Sequence, residues 1–241
     1  MKIGILICDH VQSQLQHEFA DYQDMFINTI IKANSDIQNL KLSFYDVEKG
    51  QYPTNINECD AYMSTGSKYS VYENHEWITQ LLEFINALYI AKKPFVGICF
   101  GHQLIAQALG GLVEKSDKGW GVGVTTSKVI KKQPWMKPHL NSVNLIVSHQ
   151  DQVIKLPKNT EVLMGNQFCP YYMIQIDKHF LGIQGHPEFS TEYSKALMFS
   201  RKDRIPKPVL DKGVKSLNQV PDDLAFMQWI LCFLKRTVVD R

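Results

Sequence analysis

A cysteine between two glycines, in the segment Gly97-Ile98-Cys99-Phe100-Gly101, is the feature that most restricts the fold of this chain. The apolar residues Pro94-Phe95-Val96 precede it, and residues 102–109 after it have the composition of a helix. A strand that reverses into a helix within one residue crowds its own flanks, so glycine is needed on both sides of the turn. The pattern therefore predicts a strand–turn–helix elbow with Cys99 at its apex.

The position of the Cys99 thiol favours nucleophilic chemistry. A sulfur at a helix N-terminus lies near unpaired N–H groups and the positive end of the helix dipole, which stabilise a thiolate. This stabilisation contributes at most about 2 kcal/mol, so a base and oxyanion donors must supply the rest of the catalysis. The backbone N–H of Phe100, directly after the cysteine, is a natural oxyanion donor. A buried, inert cysteine on a core strand is the competing interpretation, and it leaves the paired glycines unexplained.

Strands and helices alternate in the first 110 residues. The run Ile3-Gly4-Ile5-Leu6-Ile7-Cys8 is typical of a strand that is covered on both faces. Further strands are predicted near residues 40–44, 61–63 and 94–98, and helices near 18–33, 77–89 and 102–109. This order predicts an α/β fold with a mostly parallel central sheet and helices on both faces.

The second half of the chain has a different pattern. Short apolar stretches lie at 122–129, 145–147, 162–164, 173–176 and 180–183, and short polar turns join several of them. We therefore expect a small addition of antiparallel strands. Helices are predicted over residues 189–200 and 224–234, while residues 201–220 are polar, charged and contain prolines.

Composition excludes several classes of protein. With 44% hydrophobic and 21% charged residues, the chain resembles an ordinary globular protein. The net charge of +2 argues neither for nor against nucleic acid, and we expect no nucleic-acid partner. No apolar run approaches the ~20 residues of a membrane span, so no membrane partner is expected. Five cysteines without CxxC spacing fit reduced thiols in the cytoplasm. No set of side chains has metal-ligand spacing, so we expect neither a metal nor another cofactor.

A base for the thiol is predicted at His186. The segment Gly182-Ile183-Gln184-Gly185-His186-Pro187-Glu188 places this histidine just after an apolar strand. The carboxylate of Glu188, two residues further on, is placed to hold the imidazole in one tautomer. Functional groups gather at the carboxyl ends of parallel strands, so we expect Cys99 and His186 to meet at one edge of the sheet.

Two further loops follow predicted strands. In Ser64-Thr65-Gly66-Ser67 a glycine allows a backbone N–H to approach a substrate oxygen, although an ordinary turn has the same composition. Ser148-His149-Gln150-Asp151 offers polar groups for the ammonium and carboxylate of an amino acid, although Ser148 or Asp151 would equally suit a helix or turn cap.

Together these segments resemble the class I, triad-type glutamine amidotransferases. The matching segments are Gly97-Ile98-Cys99-Phe100-Gly101-His102-Gln103, Ser148-His149-Gln150-Asp151 and Gln184-Gly185-His186-Pro187-Glu188. Residues 64–67 with Ser70-Val71-Tyr72 are similar to the oxyanion loop in the amidotransferase half of GMP synthetase. The similarity covers roughly residues 1–200, which we take as the amidotransferase domain. Residues 201–241 are expected to form a C-terminal extension of the same domain that ends in a helix.

The resemblance implies a flavodoxin-like sheet and hydrolysis of a glutamine γ-amide to glutamate and ammonia through a γ-glutamyl thioester. Cys99 is implied as nucleophile, His186 as base and Glu188 as the residue that orients the base. Gly66 and Phe100 would supply the oxyanion N–H groups. The substrate's glutamine backbone would contact Gln103, Ser148, His149, Gln150 and Asp151. The partners implied are a small-molecule substrate and a separate synthase subunit that accepts ammonia.

Two positions depart from the synthetase pattern. Ser67 stands where that form has proline, and Gln150 stands where it has glycine. These differences are more similar to the stand-alone branch, which includes the γ-glutamyl peptidases. The chain has neither a Ser-Gly-Gly-x-Asp-Ser pyrophosphatase loop nor a Walker A loop. The resemblance therefore does not extend to the ATP chemistry of a complete synthetase.

Several functions remain open on sequence alone. The same residues would cleave free glutamine or a γ-glutamyl peptide of the glutathione type, because the bond broken is a γ-amide in both. One alternative is a deglycase or protease with a cysteine elbow, although that group would not be expected to carry Gln103 together with His-Pro-Glu. The others are a catalytically idle regulatory module that keeps the fold, against which the three triad residues count, and a Cys99 oxidation sensor. The basic cluster Lys202, Arg204 and Lys207 is interpreted as a solvated face, and Trp120 as a core or edge residue.

Overall fold

A nine-stranded sheet forms the centre of the molecule in the computed structural model, which describes residues 1–33 and 39–239. In chain order the strands of the structure are β1 Lys2–Ile7, β2 Lys41–Asp46, β3 Ala61–Ser64, β4 Phe95–Ile98, β5 Leu112–Lys115, β6 Gly121–Val129, β7 Ser142–His149, β8 Asp151–Lys155, β9 Thr160–Gly165, β10 Met173–Ile176 and β11 Phe180–Ile183. The large sheet has the order β2-β1-β3-β4-β11-β10-β9-β6-β7, and β5 and β8 pair in a separate ribbon.

The sheet is parallel in one half and antiparallel in the other. Strands β2, β1, β3, β4 and β11 pair in parallel, and β11 then pairs antiparallel with β10. Antiparallel pairing continues through β9, β6 and β7. This arrangement confirms the predicted α/β class with a parallel sheet and an antiparallel addition.

Helices cover both faces of the sheet. They are α1 Ser13–Phe19, α2 Tyr22–Ala33, α3 Glu76–Ile90, α4 Phe100–Ala108, α5 Thr191–Ser200, α6 Lys207–Ser216 and α7 Asp223–Val239, with a short 3₁₀ helix at Val47–Lys49. Because side chains alternate along a strand, Ile5 of β1 packs with α2 and α7 on one face, whereas Leu6 packs with α3 and α4 on the other. None of the helices in the two described ranges is long and apolar enough to cross a membrane.

Two parts of the helix prediction need correction. The single helix predicted near 18–33 is divided, because Ala20 has a φ of 59° and ends α1. Asp21 then accepts hydrogen bonds from the N–H groups of Val11 and Tyr22, at 2.9 and 2.8 Å. Residues 201–220 contain α6, which the apolar spacing did not reveal because it buries little more than Leu210 and Gly213.

The last helix packs into the main core. Trp229 of α7 is fully buried, and its indole N–H donates a 2.8 Å hydrogen bond to the carbonyl of Pro138. Helix α7 lies against α2, and α6 lies against β6. The contacts of residues 201–239 are therefore with the same sheet and helices that carry the rest of the chain. That this extension and residues 1–200 form one folding unit stays a prediction.

Replacing Trp229 by alanine tests that prediction. We expect Trp229→Ala to lower the free energy of unfolding by about 3–5 kcal/mol, because it empties a filled core site. The control is Leu224→Ala in the same helix, where the side chain is 39% exposed and the loss should stay below about 1 kcal/mol. Urea denaturation followed by circular dichroism should show one transition in each protein. A separate early transition for the helix would contradict a single folding unit.

Candidate functional site

Cys99 occupies a strained turn between β4 and α4. Its φ and ψ are 50° and −96°, in a region that residues other than glycine rarely adopt. The flanking glycines are required by direct contacts. A Cβ at Gly97 would lie 2.3 Å from the carbonyl of Gly101, and a Cβ at Gly101 would lie 1.9 Å from the hydroxyl oxygen of Ser64. The turn can therefore close on β3 only when both positions lack a side chain.

The order of the sheet brings Cys99 and His186 to the same edge. Strands β4 and β11 are parallel neighbours, with Ile98 opposite Ile183, so the segments that follow both strands emerge side by side. Gly66 fills the remaining space. A Cβ at this position would lie 2.8 Å from His186 Cε1 and 3.5 Å from Cys99 Cβ.

His186 is held by an ion pair and by an aromatic stack. Its Nδ1 lies 2.7 Å from Glu188 Oε1, and both side chains are buried. Burial acts to lower the pKa of His186, but the carboxylate of Glu188 and the charge and hydrogen bond of Cys99 raise it to about 10. The ring of Phe189 stacks on the imidazole, with centroids 3.9 Å apart and planes at 7°. The imidazole is therefore fixed in position, and its neighbours favour the protonated form.

Two other buried histidines near Cys99 have a lowered pKa, in contrast to His186. Burial lowers the pKa of His102 to about 3 and that of His149 to about 4. His149, which was predicted as a substrate contact, uses Nδ1 to donate a 3.0 Å hydrogen bond to the backbone oxygen of Asp151. Of these three histidines, His186 is therefore the one whose pKa is raised and whose charged form the site favours.

The predicted oxyanion donors lie on either side of Cys99. Gly66 adjoins Cys99 Cβ, and Phe100 is the first residue of α4. Among the residues that the structure describes, neither backbone N–H has a hydrogen-bond acceptor. Thr65 anchors the Gly66 loop, since its hydroxyl accepts from the N–H of Cys8 at 2.9 Å and donates to the carbonyl of Gly66 at 3.0 Å.

An ion pair holds the next residues of that loop. The buried carboxylate of Asp9 accepts hydrogen bonds from the backbone N–H and the Nζ of Lys68, both at 2.8 Å. The backbone contact fixes the chain two residues beyond Gly66. The loop that carries Gly66 is thus tied to the end of β1 at Thr65 and at Lys68.

Two glutamine side chains form a hydrogen-bonded series that ends at the sulfur of Cys99. Gln184 Nε2 lies 3.4 Å from Cys99 Sγ, and Gln103 Nε2 donates to Gln184 Oε1 at 3.3 Å and to the carbonyl of Asp151 at 3.0 Å. Gln103 was predicted to bind substrate, and its amide N–H groups are used within the protein. Gln184 received no role from the sequence. Its signal was its position two residues before His186.

The predicted substrate loop lies at the junction of β7 and β8. Ser148 accepts a 2.9 Å hydrogen bond from Arg201 Nη1. The carboxylate of Asp151 accepts hydrogen bonds from the hydroxyls of Ser70 and Tyr72, the latter at 3.1 Å. This loop therefore joins the Ser70-Val71-Tyr72 segment to the antiparallel half of the sheet.

Cys99 opens into a polar cleft that contains all the predicted substrate residues. The cleft is lined by Ser67, Lys68, Tyr69, Ser70, Cys99, Gln103, Trp120, Ser148, His149, Gln150, Asp151, Arg201 and Arg204. Arg204 is exposed, as expected of a solvated face, but it also lies over the ring of Trp120 and forms part of the cleft.

In residues 1–33 and 39–239, no group of three or more His, Cys, Asp or Glu side chains is arranged to hold a metal ion.

Comparison with known families agrees with this geometry. Residues 19–203 match the family model for class-I glutamine amidotransferases. The chain belongs to this family. Gamma-glutamyl peptidase 3 of Arabidopsis thaliana is 29% identical over 232 residues, which is 90% of each chain. A glutamine-hydrolyzing GMP synthase subunit of Sulfolobus acidocaldarius is 28% identical over 154 residues, or 64% of this chain and 80% of that protein.

A solved structure supports the fold of this amidotransferase family member. The crystal structure of a glutamine amidotransferase from Thermotoga maritima superposes with a TM-score of 0.71 and covers 98% of both chains. The sequence identity is 18%, so the similarity concerns the fold alone.

The raised pKa of His186 predicts how stability depends on pH. The unfolded ring has a pKa near 6.5 and the folded ring one of about 10. The imidazolium thus contributes fully to stability below about pH 6.5, and this contribution is lost as the pH rises through about 10. We therefore expect the stability difference between wild type and His186→Gln to shrink from neutral pH to above pH 10. Urea denaturation at a series of pH values measures this stability difference. A difference that grows with pH would contradict a protonated His186 in the folded protein.

Proposed function

We propose that this chain is a cysteine hydrolase of γ-glutamyl amides, with glutamine as the simplest substrate. The observation that carries the proposal is the buried His186 beside Cys99, held by Glu188 at 2.7 Å and stacked on Phe189. An acid fixed next to a thiol at an elbow is the arrangement needed to break an amide bond by way of a thioester. Membership in the amidotransferase family supports the same chemistry.

In the first half of the reaction, the Cys99 thiolate attacks the γ-carbonyl carbon and a C–S bond forms. The carbonyl electron pair moves to oxygen, where the N–H groups of Gly66 and Phe100 stabilise the oxyanion. Each such donor typically contributes about 3–4 kcal/mol. The imidazolium of His186 gives its proton to the leaving nitrogen, the C–N bond breaks, and the electron pair on oxygen reforms the carbonyl of a γ-glutamyl thioester.

In the second half, water cleaves the thioester. The now neutral His186 takes a proton from the attacking water, and the oxyanion forms again at the same two N–H groups. The C–S bond breaks, which releases glutamate and returns Cys99 to the thiolate and His186 to the imidazolium. The carboxylate of Glu188 keeps Nδ1 protonated throughout, so the opposite nitrogen exchanges the proton.

Two substrates fit this sequence of steps. With glutamine the leaving group is ammonia, and the similarity to the Sulfolobus GMP synthase protein supports transfer of that ammonia to a separate synthase subunit. With a γ-glutamyl peptide the leaving group is the amine of the next residue. The similarity to gamma-glutamyl peptidase 3 over 90% of both chains favours this second substrate as a candidate.

The five cysteines are free thiols, and we expect the protein to act in the cytoplasm, where thiols stay reduced.

Removal of the nucleophile is the direct test. We expect the wild type to release glutamate from glutamine, from γ-glutamylcysteinylglycine or from both, and Cys99→Ala to release none, because no thioester can form. Glutamate is measured by mass spectrometry. Cys232→Ala, a thiol on α7 outside the cleft, should keep full activity. Equal rates in wild type and Cys99→Ala would remove Cys99 from the mechanism. A wild type without activity on either substrate would favour the idle regulatory module.

A second variant tests the role of Glu188. Glu188→Gln removes the charge that raises the pKa of His186, so the imidazole should lose its proton at a lower pH. We expect kcat to fall by about 10²–10⁴-fold and the alkaline limb of the pH–rate profile to shift downward. Glu192→Gln, an exposed position in the first turn of α5, is the matched control and should leave the profile unchanged. An unshifted alkaline limb in Glu188→Gln would show that this carboxylate does not set the charge of His186.

A further inference from the structure

One wall of the cleft carries two arginines that lie over the ring of a tryptophan. The guanidinium carbons of Arg201 and Arg204 lie 6.0 and 5.6 Å from the centre of the Trp120 ring. Arg201 also donates a hydrogen bond to Ser148 at 2.9 Å, so its side chain is held at two points. A cation over an aromatic face is attracted to the ring, and the N–H groups of a guanidinium in that position stay available to a ligand.

The charge of these arginines is not neutralised within the described parts of the chain. Neither guanidinium lies within 4.0 Å of an Asp or Glu carboxylate there, whereas Lys68 on the same cleft is paired with the buried Asp9. The carboxylate of Asp151 is engaged by the hydroxyls of Ser70 and Tyr72. The cleft that contains Cys99 therefore has unpaired positive charge on its Trp120 wall.

We propose that Arg201 and Arg204, held on Trp120, form a carboxylate-binding subsite of the cleft. Arginine binds a carboxylate through two parallel N–H···O hydrogen bonds. This paired interaction is stronger and more specific than the attraction to a single point charge such as that of lysine. The choice of ligand rests on the proposed function. A γ-glutamyl substrate offers an α-carboxylate, and a γ-glutamyl peptide offers a second carboxylate on its leaving amine. The subsite thus selects substrates by a group that takes no part in bond cleavage.

Binding to the Cys99→Ala protein tests the subsite without turnover. The probe is γ-glutamylglycine, titrated calorimetrically into full-length Cys99→Ala protein with or without a second substitution. We expect Arg204→Ala to raise Kd by about 10- to 100-fold, the usual loss for a charged hydrogen bond, and Arg204→Lys to lose less. Lys202→Ala is the matched control, because this exposed residue of the same segment does not line the cleft. Thermal denaturation of each variant checks that it is folded.

Two analogues identify the carboxylate that binds. In one analogue the α-carboxylate of γ-glutamylglycine is an amide, and in the other the glycine carboxylate is an amide. The analogue for which Arg204→Ala no longer weakens binding lacks the recognised group, and either result supports the subsite. The proposal is overturned if Arg201→Ala and Arg204→Ala both bind γ-glutamylglycine as tightly as the parent. It is also overturned if the parent binds this probe no better than a diamide or does not bind it at millimolar concentration.

The outcome separates the subsite from the proposed reaction. Arginine-dependent binding in a chain that hydrolyses no γ-glutamyl amide would contradict the reaction and leave the subsite intact. Hydrolysis of γ-glutamylglycine by Arg204→Ala with an unchanged KM would contradict the subsite and leave the reaction intact. If both hold, the substitution should raise KM by a similar factor and change kcat by less than about twofold, because it removes a contact that ground state and transition state share.

Discussion

The contact between His186 Nδ1 and Glu188 Oε1 is the interaction on which the site depends. Two buried charges are costly to remove from water, and the cost is offset only where they pair closely. At 2.7 Å they do so, and Phe189 covers the imidazole from one side. Loss of one partner would leave an isolated charge in the interior, so this pair must form whenever the sheet edge is assembled. The chemistry of Cys99 is thereby coupled to correct folding of the segment after β11.

The two halves of the sheet have separate tasks in the site. The parallel half places the ends of β3, β4 and β11 together, and these ends supply the loops of Gly66, Cys99 and His186. The antiparallel half turns β7 back toward the same edge. The N–H of His186 donates to the carbonyl of Ile146 in β7 at 2.8 Å, in an isolated bridge between the two segments. That bridge brings Ser148 and its neighbours to the cleft.

Local pattern predicted the parts of the site that follow strands in sequence. The elbow could be predicted because a strand that turns sharply into a helix needs glycine at both Gly97 and Gly101. His186 could be predicted because it follows an apolar strand. Arg201 and Arg204 acquire their positions from contacts with Ser148 and Trp120 in distant segments, for which composition contains no signal. Helix α6 was missed for a similar reason. A Cβ at Gly213 would lie 2.8 Å from Val122 Cγ2, so this helix is defined by how closely it approaches β6 and not by an apolar stripe.

The depth of the Cys99 side chain has a chemical consequence. Only 5% of this residue is exposed, and its sulfur is reached through a polar cleft bordered by Lys68 and Arg201. Another protein's disulfide or thiol cannot approach so recessed an atom closely enough for exchange, whereas a small uncharged peroxide can. The recess therefore protects the thiol from mixed disulfides with macromolecules, while small oxidants can still reach it.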